Sequence, residues 1–185
     1  IGGATNAGNV GIGTDNPGAT LDVQDTDDPA QIRVKEDGNT NGLYLKNYNG
    51  NEAQIVNADN GPLVFKTNDN EVVRFKSGGN VGIGTNNPDG KVHIHSATAG
   101  SVTAGGSADE LVVENNGDAG ISVLSPDGNS SRIQFGSTSD NDIGHIGGFY
   151  NSGNEYLFFS VDGSTRMVIG GATNAGNVGI GTDNP

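Results

Sequence analysis

The sequence predicts an all-β protein that repeats along its length, and three observations carry that prediction. Residues 1–17, IGGATNAGNVGIGTDNP, recur letter for letter as residues 169–185, and GNVGIGTNNP stands between them at Gly79–Pro88. Fixed periods mark solenoids, propellers and stacked fibres, in which each unit buries its faces against neighbours. Apolar residues fall in short β-branched or aromatic runs separated by Asn, Asp and Gly, which is strand-and-turn chemistry. No stretch of ten or more residues combines helical spacing with caps, so helix content is expected near nil. Val, Ile, Leu and Phe together number 41 of 185 residues. A lone chain this poor in large apolar groups struggles to build a core, whereas sharing one among several chains removes the difficulty.

Two submodules tile the period. Residues 1–7 close a preceding repeat, 8–78 form the first β submodule, 79–175 a second, longer one, and 176–185 open the next repeat. Thr20-Leu21-Asp22-Val23 aligns with Lys91-Val92-His93-Ile94, and Gly42-Leu43-Tyr44-Leu45 with Gly120-Ile121-Ser122-Val123. Further on, Ile55 aligns with Ile133, Pro62-Leu63-Val64-Phe65 with Tyr156-Leu157-Phe158-Phe159, and Arg74 with Arg166. The added length falls in 97–107, 136–153 and 170–175, all rich in Gly, Ser, Asn or Asp and therefore read as loops.

The first submodule offers strands at Asn9–Ile12, Thr20–Val23, Gln31–Val34, Leu43–Lys46, Ala53–Val56, Leu63–Thr67 and Val72–Lys76. The second offers Val81–Ile83, Lys91–His95, Glu110–Val113, Ile121–Leu124, Arg132–Phe135, Ile143–Phe149, Tyr156–Val161 and Arg166–Ile169. Several alternate apolar with polar, as in Leu21-Asp22-Val23, which assigns one face of the strand to an interior. The inner layer is therefore expected to hold Leu21, Val23, Ile55, Phe65, Val92, Ile94, Ile121, Val123, Ile133 and Phe158, with much of their burial between chains. Copies of the 17-residue segment are expected to superpose by a screw about one axis. Strands lying across that axis imply a rise on the order of 70 Å per period.

Composition excludes several classes of function. The net charge of −13 and only nine scattered Lys and Arg argue against nucleic acid, whose phosphates need clustered cations. No apolar run approaches the ~18 residues that span a membrane. With no Cys, neither a disulfide framework nor a thiolate metal site is available. GNVGIGT resembles a nucleotide cradle only superficially. The G-x-G-x-x-G pattern requires Gly where Asn16 stands, no Gly-Lys-Ser/Thr ending exists, and Pro17 and Pro88 are followed by strand rather than helix. Gly11, Gly13, Gly82 and Gly84 are instead read as architectural, clearing a strand face for close backbone approach.

His93 and His95 form an H-x-H pair on one strand face. In a three-fold fibre such pairs offer six imidazoles to an axial metal. The alignment places Val92 and Ile94 on the inner face, however, and therefore His93 and His95 outside, so no metal is assigned. Asp25-Thr26-Asp27-Asp28, Asn68-Asp69-Asn70-Glu71 and Asp140-Asn141-Asp142 are read as solvated turns, since neither the EF-hand nor the Ca²⁺-nonapeptide pattern is present. With three His and no nucleophile or metal-hydrolase motif, no catalytic residue, cofactor or enzymatic activity is expected. Paired carboxylates on adjacent strands leave a glycan-cleaving shaft as a weak rival.

Gly-Asn-Val-Gly-Ile-Gly-Thr-x-Asn-Pro followed by an alternating strand such as Val92-His93-Ile94 resembles a signature of phage tail-fibre proteins and related bacterial surface proteins. The stretch from Glu110 to Leu124, through Arg166-Met-Val-Ile to the next GNVGIGT, is similar to the repeats preceding the intramolecular-chaperone domain of such fibres. The resemblance covers essentially the whole chain. It implies an elongated, intertwined β-helix or β-prism, a homotrimer, and an extracellular place on a virion tail fibre or bacterial surface. The implied role is a structural shaft repeat presenting a receptor-binding or adhesive tip, and that tip lies outside this segment. A bacterial surface filament or adhesin stalk is the near alternative. A glycan-binding module, with Tyr44, Tyr48, Phe149 and Tyr150 as stacking platforms, is a rival of another class.

Overall fold

The computed structural model describes residues 9–25, 31–34, 42–48, 52–151, 154–170 and 176–182. Among them are fifteen strands in four sheets, with no helix and no closed barrel. By compactness the chain divides into Ile1–Ala119 and Gly120–Pro185. The first unit contains β1 (Val10–Ile12) paired with β2 (Leu21–Val23), and a sheet of β3 (Gln31–Val34), β4 (Leu43–Tyr48) and β5 (Glu52–Asn57). It also contains a five-stranded sheet of β6 (Leu63–Thr67), β7 (Asn70–Phe75), β8 (Val81–Ile83), β9 (Val92–His95) and β10 (Leu111–Glu114). The second unit is one five-stranded sheet of β11 (Ser130–Phe135), β12 (Gly144–Asn151), β13 (Asn154–Val161), β14 (Ser164–Ile169) and β15 (Val178–Ile180). The submodule boundary at 78/79 falls between β7 and β8, which pair antiparallel, whereas the compact units divide at 119/120.

The signature folds the same way twice. Val10, Gly11 and Ile12 pair parallel with Leu21, Asp22 and Val23; Val81, Gly82 and Ile83 pair parallel with Val92, His93 and Ile94. Parallel neighbours ordinarily need a crossover of a dozen or more residues, yet residues 84–91 close this one in eight. The connection is that short because it lies directly on the sheet. Cβ atoms added to Gly11 and Gly82 would come closer than 3.0 Å to the carbonyl oxygens of Thr14 and Thr85. Pro17 and Pro88 are buried beneath the same turns. Gly13 and Gly84 take φ of 78° and 75°, a left-handed conformation that glycine adopts without steric cost. The architectural reading of these glycines is correct, and the close approach is within one chain.

The hairpins leading into the signature also coincide. Leu63–Phe75 and Phe65–Val73 pairs, with a bulge after Phe65, match Leu157–Ile169 and Phe159–Met167 pairs with a bulge after Phe159. Gly84 N–H donates to Val72 O, and Gly181 N–H to Arg166 O, both at 3.0 Å. Arg166 is therefore the counterpart of Val72, and Arg74 of the buried Val168. The Arg74–Arg166 alignment was two residues out, because similarity of residue type outweighed the ladder.

The ladders line up apolar side chains in rows. Across β6–β10, Leu63, Phe75, Val81, Val92 and Leu111 form one row, and Phe65, Val73, Ile83, Ile94 and Val113 another. Period-2 alternation puts both rows on one face, yet Phe65, Phe75, Ile94 and Leu111 are 39–52% exposed. Ile133, Ile146, Phe159, Met167 and Ile180 make the corresponding row across β11–β15. Ile32, Leu45 and Ile55 do so across β3–β5, all exposed. The opposite faces carry the better-covered residues, among them Gly82, His93, Phe158 and Val168. Apart from the turn prolines Pro17 and Pro88, Phe158 and Val168 are the large apolar side chains buried among the described residues.

Of the ten side chains expected inside, Phe158 is buried within its own chain and Val23 and Val92 are half-buried. Leu21, Ile55, Phe65, Ile94, Ile121, Val123 and Ile133 are exposed. The assignment of His93 to the outside is overturned. Its face is the covered one because the crossover turn lies on it, and His93 is 2% exposed. Fourteen of the fifteen expected strands lie within two residues of an observed one, Asn9–Ile12 among them as β1. Ile121–Leu124 is not a strand, because it finds no ladder partner in its own chain, and Leu124 is 91% exposed. The superposition of the two 17-residue copies falls largely outside the described residues.

Candidate functional site

The covered face of β8–β10 gathers four chemistry-bearing side chains. β9 places His93 and His95 on one face, with ring centroids 5.5 Å apart. The parallel register of β10 sets Glu114 opposite His95. The crossover turn delivers Asp89, whose backbone N–H donates to His93 Nδ1 at 3.2 Å. Glu114 Oε2 lies 3.1 Å from His93 Nε2 and 3.9 Å from His95 Nε2. Its other oxygen accepts from Ala99 N–H at 2.6 Å.

The first copy explains what position 93 does. There Asp22 Oδ2 accepts from Gly18 N–H at 2.8 Å, the same four-residue return bond. The turn needs an acceptor at this place, since an unpaired backbone N–H there costs about as much as a lost hydrogen bond. Acceptance at Nδ1 fixes the neutral tautomer of His93, with its proton on Nε2. That nitrogen is buried without a hydrogen-bond partner, its approach to Glu114 being out of line.

The Ala99 N–H bond holds the Glu114 carboxyl below its usual range, against opposing burial, with Thr98, His95 and His93 adding to the effect. A depressed carboxylate contributes stability that is present above the ordinary value of 4.5 and lost as pH falls through the folded-state value. Acidification should therefore loosen β10 and residues 97–104, and Glu114→Gln should flatten that dependence. Hydrogen exchange at the Ala99 amide between neutral and acid pH checks both.

The remaining expected residues divide. Asp89, His93 and Glu114 are the sole group of three or more metal-ligating side chains among the described residues. Asp25 is exposed, residues 26–28 lie outside the described residues, and Asn68 and Asp69 form the tip of the β6–β7 hairpin. Glu71 is paired with Arg74 at 2.6 Å, and Asp140 Oδ1 accepts from Asp142 N–H within its own turn. Tyr44 has Arg33 and Lys46 near its ring at 5.6 and 5.8 Å, and the side chain of Tyr48 lies outside the described residues. Phe149 stacks on Tyr156 at 5.1 Å. Tyr150 is 44% exposed and pairs across the ladder with Glu155. Both line an open cleft of about 500 Å³ with Asp127, Asn129 and Leu124.

Sequence reasoning found the H-x-H pair but missed Asp89 and Glu114. The return bond from position 89 to 93 repeats that from 18 to 22, so the spacing was present twice. Glu114 depends on a strand register that no local signal specifies. In comparison with known proteins, no family model matches this chain and no curated protein is detectably similar to it.

Proposed function

We propose that this chain is a structural shaft repeat of a long extracellular fibre, formed by three copies whose apolar sheet faces meet and presenting a receptor-binding or adhesive tip. The observation that carries the reading is the pair of five-residue apolar rows on β6–β10, in which no side chain is buried and four are exposed, repeated in kind on β11–β15. A contiguous apolar face on a sheet needs a cover, and Phe158 and Val168, the large apolar side chains buried among the described residues, both lie in the second unit, so neither unit has much interior of its own. Copies of the same repeat bring the same face to the same level, which suits a symmetric assembly. The net charge of −13 keeps neighbouring fibres apart. Load would be carried by backbone ladders and the shared interior, without catalysis. A phage tail fibre and a bacterial surface filament fit these observations alike.

Stoichiometry tests the proposal. Analytical ultracentrifugation of the chain should give trimers, and Phe75→Asp, at an exposed position within one row, should give monomers with lost cooperative melting. A wild-type monomer that melts cooperatively would overturn it.

A glycan-binding module is the second reading, favoured by the cleft bearing Tyr150, Glu155, Asp127 and Asn129. An aromatic face beside carboxylate and amide groups suits a sugar ring and its hydroxyls. Binding of this segment alone on a glycan array, abolished by Tyr150→Ala, would support it.

A further inference from the structure

We propose that Asp89, His93, His95 and Glu114 hold one divalent transition-metal ion of the zinc class within each chain. Imidazole and carboxylate are the donors such an ion takes. Three secondary-structure pieces deliver them: two from β9, one from β10 and one from the crossover turn. One donor atom from each of Asp89, His93 and Glu114 lies within 4.8 Å of the others. His95 Nε2 is 3.9 Å from the Glu114 oxygen they share. Ligands bound at about 2.0–2.1 Å around a tetrahedron stand roughly 3.3–3.4 Å apart, close to the 3.1 Å between His93 Nε2 and Glu114 Oε2.

The independent observation is His93 itself. Its side chain is 2% exposed, and Nε2 is buried with no hydrogen-bond partner, 3.1 Å from a Glu114 oxygen that is out of line with its N–H. An orphaned buried nitrogen is costly, and an ion at this point would satisfy it. Two carboxylates would balance the ion's double charge. Entry is open on the side of His95, 23% exposed and bordering a groove with Glu71, Thr85 and Asn86.

Loading requires His95, which stands outside the three donors lying within 4.8 Å of one another, to close on the site, and a proton shift on His93. The neutral ring keeps a single proton, which must move from Nε2 to Nδ1 when Nε2 binds the ion. Nδ1–H would then face Asp89 N–H, so that backbone bond has to be released. Metal binding is thus coupled to the Asp89 amide. The first copy is a built-in control. Asp22 and Gln24 stand at the positions of His93 and His95 and offer no imidazole, so one site per 168-residue period is expected. The site uses residues of one chain only, which separates its fate from that of the shaft reading.

The test is a Zn²⁺ titration of the whole chain after chelator treatment, by calorimetry at neutral pH. One ion per chain is expected, with affinity weakened at least about 10–100-fold by His93→Gln or Glu114→Gln and unchanged by His145→Gln. Hydrogen exchange at the Asp89 amide should quicken when Zn²⁺ is added. Should His93→Gln fail to fold, His95→Gln, at the exposed edge of the site, should still weaken binding. No saturable binding, equal affinity in folded Glu114→Gln, or one ion per three chains would each overturn the proposal.

Discussion

Gly82→Val should unfold the signature crossover, and Gly11→Val should do the same in the first copy. A Cβ at either position meets a carbonyl oxygen of the turn lying on the strand, at a distance that real Cβ atoms do not show. Backbone cannot swing aside as a flexible side chain can. Overpacking costs on the order of 1–3 kcal/mol, and each chain of an assembly would bear it at the same level. Gly105→Val is the comparison, because nothing lies within 4 Å of a Cβ there. Thermal melting of the three variants decides the matter, and equal tolerance would contradict the close approach described.

Phe158→Ala should be the most damaging change in the second unit. Phe158 is 7% exposed, and its ring lies over Gly147, which leaves the space a side chain would otherwise fill. His145 and Tyr156 meet it edge-on at 5.4 and 5.8 Å, and Val168 pairs with it across the ladder. Truncating a buried Phe costs about 3–5 kcal/mol, a large part of the ~5–15 kcal/mol that a domain typically has. Hydrogen exchange along β13 and β14 should show global loss of protection. Ile121→Ala, in a segment outside any ladder, should leave the second unit's protection unchanged.

What the sequence disclosed, and what it concealed, follows from which interactions are local. Strand positions were legible because β-branched runs bounded by Asn, Asp and Gly are local signals, and Leu63–Thr67 was placed to the residue. Which face is covered was not legible for His93. Alternation sorts side chains into two faces but does not say what lies over each, and here the covering element is the chain's own turn. Ile121–Leu124 carried strand composition without a partner, and a strand exists only in a ladder. For the four-residue cluster, the H-x-H spacing was visible, whereas Glu114 entered through the β9–β10 register after a 15-residue connection.

Every strand in the two large sheets is hydrogen-bonded only to strands adjacent to it in sequence. This has a consequence for the order of events in time. Chains whose contacts are local fold quickly, because little loop-closure entropy precedes each gain. The ladders can therefore form within a single chain at a rate independent of how many chains are present. Covering the apolar rows is a meeting of molecules and depends on their concentration. Refolding should separate into an early unimolecular phase, seen as β-sheet circular dichroism, and a later phase that accelerates with protein concentration. In the interval between them the rows stand open to any passing edge or face. Dilution lengthens that interval, and crowding of nascent chains on one message shortens it.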